Sequence, residues 1–235
     1  MELTSNHPNL NRVSIASLLV ALGIIYGDIG TSPLYALRAV VGDRPLTETL
    51  VYGGVSCIFW TLVLQTTVKY VWLTLKADNQ GEGGIFSLYA LVRRYGKGLA
   101  IAAILGATTL LADGIITPPI SVASAVEGLN AVKGLEQIIV PGNNLTIGIV
   151  VVILSGLFFF QRFGTQFIGK AFGPVMAVWF VMLAVVGALN IAAHPDVMKA
   201  INPVYGYRLI MQYPKGFWLL GSVFLCTTGA EALYH

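Results

Sequence analysis

Long apolar runs constrain this chain more than any other feature. A helical bilayer crossing needs about 20 mainly apolar residues, and six runs approach or meet that length: 13–41, 50–75, 99–129, 146–160, 172–193 and one that starts near Phe217. The fourth is short for a full crossing. Hydrocarbon offers no partner to a free N–H or C=O, so segments of this kind must satisfy their backbone internally as helices. The expectation is an all-α membrane protein.

Composition supports that reading. The chain is 56% hydrophobic and 11% charged, with mean hydropathy +0.76, against about 25% charged residues in a soluble domain. The net charge of +3 is scattered and forms no clustered basic face, so a nucleic-acid partner is excluded. Cys57 and Cys226 both fall in apolar runs and read as small core residues. His7, His194 and His235 are far apart, which argues against a zinc site. The polar residues 1–12 followed by an apolar run resemble a signal peptide. No small-residue cleavage motif ends that run, so it is expected to remain as the first helix behind a cytoplasmic tail.

With the N-terminus inside, Arg12, Lys69, Lys76, Arg93, Arg94, Lys97, Arg162 and Lys170 fall on the inner side. Arg38, Arg44, Lys133, Lys199, Arg208 and Lys215 fall on the outer side. Eight against six, with the tight cluster 93–97 inside, follows the positive-inside rule.

Four acids lie within these runs: Asp28, Asp113, Glu127 and Glu231. A carboxylate at membrane depth costs roughly 2.5–3.5 kcal/mol even on a lenient insertion scale, and such residues are rarely idle. Three of them sit beside helix breakers. Asp28 lies in Gly27-Asp28-Ile29-Gly30-Thr31-Ser32-Pro33, Asp113 in Asp113-Gly114-Ile115-Ile116-Thr117-Pro118-Pro119, and Glu231 in Thr228-Gly229-Ala230-Glu231. The first, third and sixth helices are therefore expected to break there, with freed carbonyls that need a cation or water. Thr31 and Ser32 add hydroxyls at the first break. Asp113, Thr117 and Ser121 repeat at i, i+4, i+8 and stack oxygens on one helix face. Thr117 before Pro118 also reads as an N-cap. Glu127 reads as a solvated helix end. The sixth run echoes the first, with Gly-Asp then Leu34-Tyr35 against Gly-Ala-Glu then Leu233-Tyr234. Paired broken helices of opposite orientation mark transporter sites built on inverted repeats.

The loop Ala77-Asp78-Asn79-Gln80-Gly81-Glu82-Gly83-Gly84 lacks the Lys-Ser/Thr ending of a P-loop and a strand before it. It reads as a flexible turn, with gating as the alternative. Asn144-Leu145-Thr146 is a glycosylation sequon in form only. Trp60, Trp72, Trp179 and Trp218 read as packing or interface anchors.

The string 26–35, the loop 77–85, the segment 114–121 and the string 228–234 together resemble the KUP (HAK/KT) potassium uptake family of the amino acid–polyamine–cation superfamily. The resemblance covers nearly the whole chain. It implies a LeuT-like inverted-repeat fold, here the first repeat plus the start of the sixth helix, and potassium import coupled to protons. It implies potassium ligation by Asp28, Tyr35, Asp113, Thr117, Ser121 and Thr228, and proton coupling by Glu231. The partners implied are potassium ions, protons and the lipid bilayer, with no cofactor and no enzymatic activity; a homodimer is one assembly open to such a chain. Residues 13–235 are the expected transmembrane transport domain, its N-terminal portion, cut at the sixth break. His235 departs from the Ala or Ser usual in that family. A sodium-coupled amino-acid symporter of the same fold is the runner-up, but three acids would repel a substrate carboxylate. An intramembrane aspartyl protease using Asp28 and Asp113 as a dyad lacks the Gly-x-Gly-Asp string at its second acid. No carbonyl filter of the potassium-channel type is present.

Overall fold

The computed structural model describes residues 14–77, 79, 82–161 and 165–234. The tail 1–12, His235, Arg162 and three residues of the glycine-rich loop (Asp78, Gln80, Gly81) lie outside the described residues. Apart from a bridged turn between Asn79 and Glu82, regular structure among the described residues is helical. The described residues form nine α-helices: α1 Ile15–Ile29, α2 Ser32–Val41, α3 Glu48–Leu62, α4 Gly84–Val92, α5 Leu99–Gly128, α6 Asn144–Gln161, α7 Thr165–Ala193, α8 Pro203–Gln212 and α9 Gly216–Phe224. Among the described residues five stretches are long and apolar enough to cross a membrane: Leu18–Val41, Glu48–Lys76, Leu99–Ala131, Asn144–Gln161 and Phe172–Ala193. The sixth expected run forms a shorter apolar helix, Gly216–Thr227.

Local chemistry sets the helix boundaries. Thr47 caps α3, its hydroxyl accepting from the Leu50 amide at 3.2 Å. Asn202 caps α8 by accepting from the Val204 amide at 3.0 Å, with Pro203 in the first turn, where its missing N–H is harmless. Pro33 occupies the same kind of position in α2. The second span does not stay α-helical. From Val63 to Leu73 it winds as a π-helix and closes with a 3₁₀ turn, Thr74–Lys76.

The third span departs from expectation. No break occurs between Asp113 and Pro119, and α5 runs unbroken for 30 residues with both prolines inside it. Pro118 and Pro119 each lack the N–H that would reach back four residues, and each ring crowds the carbonyl there. For Pro118 that residue is Gly114, which has no side chain to add to the crowding. Prolines inside a membrane helix are tolerated when hydroxyls and neighbouring groups compensate.

Packing divides the helices unevenly. The main apolar core joins α2, α3, α8 and α9 around Val40, Leu50, Leu209 and Val223, each nearly or fully buried. A Cβ on Gly53 would lie 2.6 Å from Leu209 Cβ, so glycine is what lets α8 seat on α3. The connection after the fifth span is thus structured rather than a loop, which the run pattern did not indicate. Before α8 a 3₁₀ helix, Pro195–Ile201, carries an exposed ion pair, Lys199 Nζ to Asp196 Oδ1 at 2.6 Å. The ammonium holds the Asp196 carboxyl below its ordinary range. α1 packs along α7, and where they cross, a Cβ on Gly23 would lie 2.5 Å from the Gly173 nitrogen. α5 stands apart, against α6 and α4, and touches α2 only lightly.

Candidate functional site

The first helix breaks where its sequence asks it to. α1 ends at Ile29, α2 begins at Ser32, and Gly30 and Thr31 turn between them. Three carbonyls at the break, those of Gly27, Asp28 and Gly30, find protein donors where a cation or water was expected. Thr31 Oγ1 donates to Gly27 O (3.2 Å) and Asp28 O (3.1 Å), and Ser32 Oγ donates to Asp28 O at 2.7 Å. The Trp179 indole of α7 donates to Gly30 O at 3.2 Å, so this tryptophan is more than an interface anchor.

The sixth run breaks at Thr228-Gly229. A 3₁₀ turn, Leu225–Thr227, precedes it and a 3₁₀ helix, Ala230–Tyr234, follows. Gly229 has φ +82°, a conformation that favours glycine. A Cβ there would also lie 2.6 Å from Asp28 Cβ and 2.8 Å from its Oδ2. The two broken helices therefore meet with the Asp28 side chain lying over the Gly229 backbone.

Three hydroxyls converge at that meeting point. Tyr35 Oη lies 2.7 Å from Thr228 Oγ1 and donates to Ser32 Oγ at 2.8 Å, and Ser32 Oγ lies 3.0 Å from Thr228 Oγ1. Thr228 Oγ1 also donates to Leu225 O at 2.9 Å. All three side chains are buried. With the Ser32–Asp28 bond these are five contacts, and three hydroxyls supply only three protons. Oxygen lone pairs are in excess, an arrangement that suits a cation.

The α5 face is continuous with this chemistry. Thr117 Oγ1 donates to Asp113 Oδ1 at 2.9 Å. Ser121 Oγ, one turn further, is buried without a hydrogen-bond partner, and a buried unsatisfied hydroxyl costs about 1–3 kcal/mol. Because α5 is unbroken, the i, i+4, i+8 spacing keeps these oxygens on one face. Asp28, Asp113 and Glu231 each lie within electrostatic reach of the other two. None of the three forms an ion pair among the described residues.

A cavity of about 730 Å³ opens beside this cluster, lined by Asp113, Thr227, Thr228 and Glu231. Its far wall comes from Gln65, Lys69 and Tyr70 of the π-helical half-span and from α4. Lys69, counted above with the inner loop charges, thus lies within a membrane span. Glu127 also departs from expectation. It is not merely a solvated end, since its Oε2 sits 3.2 Å from Arg38 Nη2 and ties α5 to α2. Ser32 belongs to the motif around Asp28 and joins the hydroxyl cluster, although the ligand set implied by resemblance omitted it. The part of the glycine-rich loop that is described is anchored rather than free: Tyr234 Oη donates to Ala77 O at 2.6 Å.

Comparison with known proteins gives a consistent result. Residues 15–235 match the family described as the K+ potassium transporter integral membrane domain. A "Probable potassium transport system protein Kup" from Flavobacterium johnsoniae is 54% identical over 99% of this chain and 35% of its own length. Proteins of the same description from Clostridium perfringens (48% identical, 99% of this chain and 36% of theirs) and Streptococcus agalactiae (51%, 97% and 35%) are similar. The chain spans about a third of the length of these curated relatives. No solved structure matches.

Proposed function

The chain belongs to the K+ potassium transporter family, and on that premise we propose that the full-length protein takes up potassium across a cell membrane as a potassium–proton symporter. The observation that carries this reading is the buried hydroxyl cluster of Ser32, Tyr35 and Thr228, set between two broken helices and beside carboxylates that form no ion pair among the described residues. Potassium is a large, hard cation that suits many oxygen ligands. Asp28, Tyr35 and Thr228 would bind it from the two breaks, and Asp113, Thr117 and Ser121 from the α5 face. The unpartnered Ser121 hydroxyl supports this set, because a bound cation would supply what it lacks. Glu231 takes the proton: it lies on the cavity wall, past the sixth break, where a change in access to either face alters its solvation.

The juxtaposition of the first and sixth breaks supports a LeuT-like inverted-repeat arrangement. Inner placement of the N-terminus is supported by Arg93, Arg94 and Lys97, which follow α4 at the same end as Lys76. An amino-acid symporter is disfavoured, since three carboxylates would repel an anionic substrate group. The test is potassium uptake by the full-length protein in a strain stripped of its own potassium systems. Growth and rubidium-competed uptake at low potassium are expected. An expressed, inserted protein that moves no potassium would overturn the reading.

A further inference from the structure

The π-helical winding of the second span has a directional effect. Gln65, Lys69, Tyr70 and Thr74 all line the cavity. In an α-helix residues 65 and 74 would point about 180° apart. In a helix bonded i→i+5, residues four, five and nine apart return to one face. The winding from Val63 to Leu73 therefore brings Tyr70 and Thr74 onto the face that Gln65 and Lys69 already share, so that all four line the space that Asp113 and Glu231 also line. Among the described residues, Lys69 is the one basic side chain that lines that cavity. Its ammonium lies 4.9 Å from the centre of the Tyr70 ring and is in no ion pair among the described residues. Its charge is thus not cancelled by an ion pair. The half-span that bears it packs against Ala230–Tyr234, the segment that holds Glu231.

We propose that Lys69 is a tethered counter-cation of the transport cavity: it offsets one of the three carboxylates permanently and weakens potassium binding enough for release. The inference rests on the potassium reading above. Three carboxylates and one ammonium leave two negative charges. One potassium ion and one proton bring the site to neutrality, so a single ion and a single proton suffice to load it. Without Lys69, a third positive charge would be needed, and the loaded site would hold its potassium more tightly.

The test uses purified full-length protein, with potassium affinity read from potassium-dependent thermal stabilisation and turnover from uptake into proteoliposomes. A unit charge about 10 Å from a partly solvated ion alters affinity by roughly tenfold at an effective dielectric constant of about 20. Lys69→Gln is therefore expected to bind potassium about tenfold more tightly and to turn over more slowly, while Lys69→Arg stays near wild type. Lys69→Cys should behave as Lys69→Gln, and attachment of an aminoethyl group through the new thiol should restore wild-type affinity where a neutral methyl adduct does not. A purely structural lysine would not show rescue by charge. Unchanged or weaker potassium binding in Lys69→Gln and Lys69→Cys overturns the proposal, provided the wild type responds to potassium. A wild type with no response to potassium overturns the functional reading instead.

Discussion

At the residue scale the determining contrast is between carboxylates and hydroxyls. The hydroxyls are already in contact with one another, whereas the carboxylates lie near one another and form no ion pair among the described residues. Removing one negative charge should therefore act on ion binding far more than on folding. Asp28→Asn in the full-length protein is expected to cut potassium uptake at least about tenfold with normal membrane insertion, because losing a buried charge eases insertion. Uptake assays beside a membrane-fraction blot check this, and near-normal uptake would exclude an essential charge. Glu231 and Asp113 should separate. Glu231→Gln mimics a permanently protonated acid and is expected to flatten the pH dependence of uptake while potassium still binds. Asp113→Asn, which also leaves Thr117 facing an amide, should weaken potassium binding directly. Uptake across a pH series for both variants decides, and a wild-type profile for Glu231→Gln with a flat one for Asp113→Asn would reverse the two roles.

At the scale of elements, local sequence was readable where the breaker and the break coincide and misleading where tertiary context compensates. Gly30, Pro33 and Gly229 mark true interruptions: Gly30 stands at the turn, Pro33 in the first turn of the helix that restarts, and Gly229 at a positive φ that a continued helix could not hold. Pro118 and Pro119 were equally suggestive, yet α5 continues through them. Gly114 and the Thr117–Asp113 bond are particulars that no propensity weighs. The π-helical winding of the second span was not legible either, because no residue between Val63 and Leu73 is special to that geometry. Nor was α8, whose burial depends on Gly53 of another helix. These close helix approaches give a further prediction. At the α1–α7 crossing, Gly173→Val would thrust a branched side chain at the Leu19 backbone. Overpacking of this kind costs about 1–3 kcal/mol, so thermal unfolding in detergent should fall by several degrees. An unaltered midpoint would mean that the two helices separate freely.

For the whole molecule, the candidate site is an interface between distant parts of the chain: the hydroxyl cluster joins residues 193 and 196 positions apart in sequence. Motif strings pointed to its members, but only the fold brings Tyr35 and Thr228 within 2.7 Å. The same assembly leaves α5, α6 and α7 with broad apolar faces exposed, in a chain that spans about a third of its relatives' length. On the inverted-repeat arrangement proposed above, an ion lies between two halves that rock against each other, and the exposed face of α5 beside Asp113 is where a second half would close the cavity. The 235-residue chain expressed alone is therefore expected to insert into the membrane but to give no potassium uptake in a transport-deficient strain. Co-expression with the remaining segment of the full-length protein should restore it, as complementary halves of a two-part fold can do when their interface is apolar. Uptake by the 235-residue chain alone would show that these helices complete the pathway without the second half, for instance by pairing with another copy of themselves.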